Sequence, residues 1–68
     1  PMDNLTIRNE QFGGLVYNMV TGIVYKLDNE AYSIIYDLKQ GLNPLQVSRK
    51  YGLNKASIFY VVSSVIKW

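Results

Sequence analysis

The side chains of this chain that could carry chemistry are few, and their types exclude most reactions. Histidine and cysteine are both absent, which removes an imidazole base, a thiolate nucleophile, a disulfide and a Cys/His zinc site. The carboxylates Asp28, Glu30 and Asp37 form no convincing acid–base pair. Asp28 and Glu30 fall where a helix begins, the position at which acids favour the helix dipole, and Asp37 lies further along that helix. No phosphate loop, nucleophile elbow or metal-ligand spacing is present, so neither catalysis nor a cofactor is expected. Binding chemistry remains. Residues 22–26, Gly22, Ile23, Val24, Tyr25 and Lys26, read as an edge strand with no proline and one charge. Such an unguarded edge can accept another strand, main chain supplying affinity and side-chain pockets selectivity. On the last helix, Ile58, Val61, Val62 and Val65 form a core-facing arc, and Phe59 and Ile66 extend it to one side, with Lys55 on the same flank. An apolar flank bordered by a lysine suits an apolar or acidic segment. The competing expectation is that Phe59 and Ile66 merely cover the hairpin.

The elements that must position these residues can be read from the hydrophobic period. Strands are expected at about 4–8, 12–18 and 22–27, rich in Val, Ile, Tyr and Leu. Asn9 to Gln11 turn the chain between the first two, and a short loop ending in Gly22 closes the second hairpin. Gly13-Gly14 predicts a bulge or a close backbone approach. From Asp28 the period becomes helical: Leu27, Ala31, Ile34, Ile35, Leu38 and Leu42 make one stripe. That helix spans about 29–40, capped by Asp28 or Asn29 and ended by Gly41. Asn43-Pro44 opens a second helix at about 44–51, closed by Gly52, and Asn54 caps a third at about 55–67. Tyr32 and Tyr36, one turn apart, read as half-buried packing, and Arg49-Lys50 as a solvated face.

Residues 47–61 meet the demands of a helix-turn-helix. Val47, Tyr51, Leu53, Ile58 and Val61 are apolar where the helices touch, Ser48 is small at the crossing, and Gly52 supplies the turn. The fold class is therefore α+β: a three-stranded antiparallel sheet followed by three helices, winged helix-turn-helix-like, in a single domain over 1–68. Such folds often bind DNA. Here the third helix offers Asn54, Lys55, Ser57, Phe59 and Tyr60 rather than clustered cations, and phosphate neutralisation drives DNA affinity. A small DNA-binding transcription regulator is the alternative reading, not the preferred one.

Composition sets the outer limits. A chain of 68 residues, 49% hydrophobic, fills one small core. Seven Lys/Arg against five Asp/Glu leave a net charge of only +2, too small a surplus to carry a nucleic-acid reading. No apolar run approaches the roughly 20 residues of a spanning helix, so no membrane partner is expected. The lack of cysteine is compatible with the cytosol, and a cytoplasmic location is the expectation.

The run FGGLVYN, then TGIVYKLDNEAY, then a helix carrying Ile34, Ile35 and Leu38 and ending in Gly41, then VSRKYGLN, resembles the PqqD family. These are the recognition elements that bind the leader segments of ribosomally made precursor peptides. The resemblance covers about residues 7–66. It implies three strands then three helices, with the leader added as a further strand on the third strand and lying against the third helix. Carried onto this chain, it assigns peptide binding to Gly22, Ile23, Val24, Tyr25 and Lys26 on the strand and to Lys55, Phe59, Val62 and Ile66 on the helix. It also implies partners: a precursor leader peptide and a modifying enzyme, often a radical SAM enzyme, with no chemistry by the module itself. Two departures stand out. Met19-Val20 makes an apolar hairpin tip where the family is usually polar, which points to an enzyme contact or a homodimer. The chain also stops at Trp68, where relatives often continue, so it is either a minimal member or a piece of something longer.

Overall fold

The computed structural model describes residues 2–65. A 3-10 turn at Met2–Asn4 leads into β1 (Leu5–Glu10), β2 (Gly13–Asn18) and β3 (Ile23–Asp28). Helices α1 (Asn29–Lys39), α2 (Pro44–Tyr51) and α3 (Lys55–Val65) follow. The strands form one antiparallel sheet in the order β1–β2–β3, so the fold is α+β as the hydrophobic period predicts. Ile66 to Trp68, which include the expected end of the third helix, lie outside the described residues.

The first strand is longer than its composition implies. Asn9 and Glu10 do not turn the chain; they stay in register opposite Gly14 and Gly13. Two side-chain contacts hold this polar end: Asn9 Nδ2 donates to the Gly13 carbonyl at 3.0 Å, and Arg8 pairs with Glu10 at 2.6 Å. Only Gln11 and Phe12 form the turn. No bulge interrupts either ladder. The glycine pair serves close approach instead. A Cβ on Gly14 would overlap the Tyr32 ring, and one on Gly13, whose φ is +144°, would meet the Leu27 carbonyl. That notch lets α1 lie down on β2 and explains why Tyr32, expected half-buried, is a core residue.

The helices start and stop as their caps dictate. Asp28 Oδ1 accepts from the Ala31 N–H at 2.9 Å, and Asn43 and Gln46 form a reciprocal capping box around Pro44. Gly52 closes α2 in the left-handed region at φ 66°, and Asn54 Oδ1 accepts from the Ser57 N–H at 2.9 Å to begin α3. The core has two halves. Leu5, Val16, Tyr32, Ile35 and Val65 fill the space against the sheet, while Ile34, Val47 and Ile58 fill that between the helices. Val61 and Val62 of α3 pack against both halves, which fixes this helix to sheet and helices together.

A polar clasp joins α1 to α2. Asp37 is buried, and its Oδ2 accepts from Tyr51 Oη at 2.5 Å and from Lys50 Nζ at 3.0 Å. Lys50 is thus not simply a solvated charge. It offsets a carboxylate whose burial would otherwise be costly. The hydrogen bond to Asp37, helped by burial, raises the Tyr51 phenol above its ordinary 10.0. The same carboxylate raises Lys50 above 10.5, against the pull of desolvation. A group raised on folding stabilises fully below its unfolded pKa and loses that contribution as pH climbs through its folded pKa. The clasp is therefore expected to weaken in alkali, above roughly pH 10. In denaturant melts across that range, Tyr51→Phe should be less stable than the wild type at neutral pH, with the gap closing as pH rises. A constant gap would show that the clasp does not titrate.

Candidate peptide-binding edge

β3 pairs with β2 on one side and, among the described residues, with no strand on the other. The hydrogen-bond phase of the sheet tells which of its residues face that open side. The Met19 N–H donates to the Asn4 carbonyl at 2.8 Å, which makes Asn4/Met19 a bonded pair in line with the β1–β2 register. Antiparallel ladders alternate, so Tyr17, Leu15 and Gly13 turn their main chain to β1, and Asn18, Val16 and Gly14 turn theirs to β3. The partners Ile23, Tyr25 and Leu27 face back to β2. Val24 and Lys26 are left with N–H and C=O directed at the open edge.

Side chains alternate in the opposite sense. Ile23, Tyr25 and Leu27 lie on the helix-bearing face, where Tyr25 and Leu27 pack against the same cluster as Val61 and Val62. Val24 and Lys26 project from the other face. Of the five strand residues assigned to peptide binding, Ile23 and Tyr25 thus offer side chains toward the helices, Val24 and Lys26 offer main chain, and Gly22, at φ +77°, serves the turn. Leu27 went unassigned, although two-residue alternation from Ile23 and Tyr25 points directly to it. Lys26 does not share a face with Lys55: its Nζ sits 4.6 Å above the Phe12 ring.

One side chain ties α3 to this edge. Asn18, opposite Ile23 and only 2% exposed, accepts through Oδ1 from the Val20 and Thr21 N–H groups at 2.9 and 3.2 Å. Its Nδ2 donates to the Val65 carbonyl at 3.3 Å. The amide therefore shapes the hairpin loop and holds the end of α3 beside the start of β3. Nothing in the local sequence distinguishes Asn18 from an ordinary turn asparagine, because its long-range acceptor is 47 positions away.

The flank of α3 is open. Phe59 is 51% exposed, so it does not serve as a cover for the hairpin, and Lys55 Nζ lies 6.0 Å from its ring centroid. Val62 is half-buried beneath, and Ile66 lies outside the described residues. Asn54 spends its Oδ1 on the α3 cap, accepting from both the Ser57 N–H and hydroxyl. The outer face then presents Phe59 and Tyr60, a poor surface for reading a groove. At the other edge, β1 carries the Arg8–Glu10 ion pair on its exposed face, a common guard against strand addition. Among the described residues no group of His, Cys, Asp and Glu could hold a metal ion, and no helix is long and apolar enough to cross a membrane.

The fold is shared with a protein solved in complex with a peptide. The chain superposes on a structure described as lasso peptide synthetase B1 complexed with the leader peptide. The TM-score is 0.69 at 17% identity, over 90% of this chain and 81% of that one. Likeness at that identity shows a common fold. No protein-family model matches the chain, and no curated protein matches it in sequence.

Proposed function

We infer that this chain is a non-catalytic recognition module that binds the leader of a ribosomally made precursor peptide. The observation that carries this is the open β3 edge, with Val24 and Lys26 main chain unpaired by any strand among the described residues, beside the exposed Phe59 of α3. The PqqD-like order of motifs and the fold shared with lasso peptide synthetase B1, solved with a leader peptide, support the reading. The leader adds as a fourth strand on β3 and sets alternate side chains against Ile23, Tyr25, Leu27, Phe59 and Val62. Bound there, it raises the concentration of the attached core segment at a modifying enzyme. The likeness to a lasso peptide synthetase component makes lasso-forming enzymes the first partners to test, ahead of radical SAM enzymes.

Amide NMR titration with a synthetic leader segment from the precursor encoded beside this gene tests the reading. Shifts are expected at Ile23–Asp28 and along Lys55–Val65. Salt-sensitive shifts with duplex DNA at Arg49, Asn54 and Lys55, and none with leader, would favour the regulator instead. A second copy occupying the same edge would show as a mass that rises with concentration in light scattering. Phe59→Ala is expected to weaken leader binding by roughly 1–3 kcal/mol, the range for a buried aromatic anchor. Because half of the ring is exposed in the free protein, thermal stability should barely change. Unchanged affinity would remove Phe59 from the site.

A further inference from the structure

The buried polar side chains Asn18, Asp37 and Ser48 all have partners: Asn18 bonds the hairpin loop and Val65, Asp37 holds Tyr51 and Lys50, and Ser48 Oγ donates to the Leu45 carbonyl at 2.8 Å. Tyr25 breaks the pattern. Its ring is half-buried, but its hydroxyl oxygen is shut away from solvent and has no hydrogen-bond partner among the described residues. The ring packs with Leu27, Val61 and Val62 against an aliphatic and aromatic cluster. A phenylalanine would fill the same space without stranding a hydroxyl, and a stranded buried hydroxyl lowers stability. Departures of this kind concentrate where function requires them. Tyr25 is also placed for function, at the middle of the edge strand with its side chain on the α3 side.

We propose that the Tyr25 hydroxyl is a selectivity element of the β3 edge, donating to a carboxylate or carboxamide side chain of the leader. The inference rests on the leader-binding reading above. An added strand places one residue directly across from Tyr25, with Cβ atoms about 4.5–5.5 Å apart on the same face. Asp, Asn, Glu or Gln at that position spans the gap and presents a carbonyl oxygen to the phenol. A leader side chain that wedges between β3 and the Val61–Val62 surface would uncover the hydroxyl and reach it in one movement. Occupation then supplies the bond that the free protein lacks, so a leader with an aliphatic residue there is discriminated against.

Two readouts on Tyr25→Phe test this: the melting temperature of the free protein, and calorimetric titration with the synthetic leader segment and with variants of it bearing alanine at each Asp, Asn, Glu or Gln. The free variant should melt at the same temperature or higher, while its affinity falls roughly three- to tenfold. One alanine-substituted leader should lose the same factor against the wild type and nothing further against Tyr25→Phe. A lower melting temperature with unchanged affinity would make the hydroxyl structural and overturn the proposal. So would equal losses for every leader variant on both proteins. If Val24→Pro abolishes binding while Tyr25→Phe leaves it intact, strand addition stands and the selectivity role falls. If the wild type binds no leader, both fall.

Discussion

Val24→Pro should abolish leader binding and leave the domain folded. The Val24 N–H points to the open edge rather than to β2, so proline there removes no bond of the existing sheet, and edge strands tolerate it for that reason. Its 56% exposure means that little packing is lost with the isopropyl group. For an incoming strand the consequences are severe. One donor disappears, the facing carbonyl of the leader is buried without a partner, and the pyrrolidine ring occupies the path of the added chain. The unmatched carbonyl alone is worth about 1–3 kcal/mol, roughly 5- to 150-fold in affinity, and the lost donor and the steric block together should carry the loss beyond detection. Tyr25→Pro is the contrasting variant. Its N–H belongs to the β2–β3 ladder, and it should unfold the hairpin. Measured by titration calorimetry alongside an amide spectrum, Val24→Pro with native shifts and undiminished affinity would show that the leader does not add to this edge.

Gly14→Ala is expected to be the most damaging conservative change to the fold, at about 3 kcal/mol, the upper part of the range for overpacking. The added methyl would overlap Tyr32 at ring atoms Cγ, Cδ1 and Cε1, not at the mobile tip of a long side chain. Tyr32 cannot swing away cheaply, because it is 7% exposed and packed with Leu5, Val16, Ile35 and Val65. Relief requires α1 to lift from β2. Since Val65 shares that cluster and α3 is held at Asn18, the helix flank should shift relative to β3. Leader affinity should therefore fall with stability, unlike the separation expected for Phe59→Ala. Urea unfolding gives the number, and a loss below about 0.5 kcal/mol, the scale of an ordinary surface change, would mean that the notch has slack.

Most of the architecture could be read from residue order, because it depends on short-range rules. Capping by Asp28, Asn43 and Asn54, the left-handed Gly52, and the change from a two-residue to a helical period at Asp28 act within one turn of chain. They sufficed to place α2 at its observed bounds and the other elements, over the described residues, within a few residues. The extended character of β3 and the helical period that sets Phe59 beside the core arc of α3 were legible for the same reason. The sequence also excluded thiol and imidazole chemistry outright, by lacking the residues.

The rest required tertiary contact. Strand composition did not say that Asn9 and Glu10 would stay paired, because what holds them is the register with Gly14 and Gly13. Residue order placed Asp37 along α1 and gave it no partner; Lys50 and Tyr51 converge on it only because α2 packs there. Asn18 stands at the end of an expected strand, and only the packing of α3 brings the Val65 carbonyl within reach of its amide. The phase of the ladder, which separates Val24 and Lys26 from Ile23, Tyr25 and Leu27, follows from one main-chain bond between Met19 and Asn4. Period and propensity describe which residues share a face. Which main-chain groups stay unpaired, and which buried hydroxyl stays without a partner, depends on neighbours distant in sequence, and only the assembled fold supplies them.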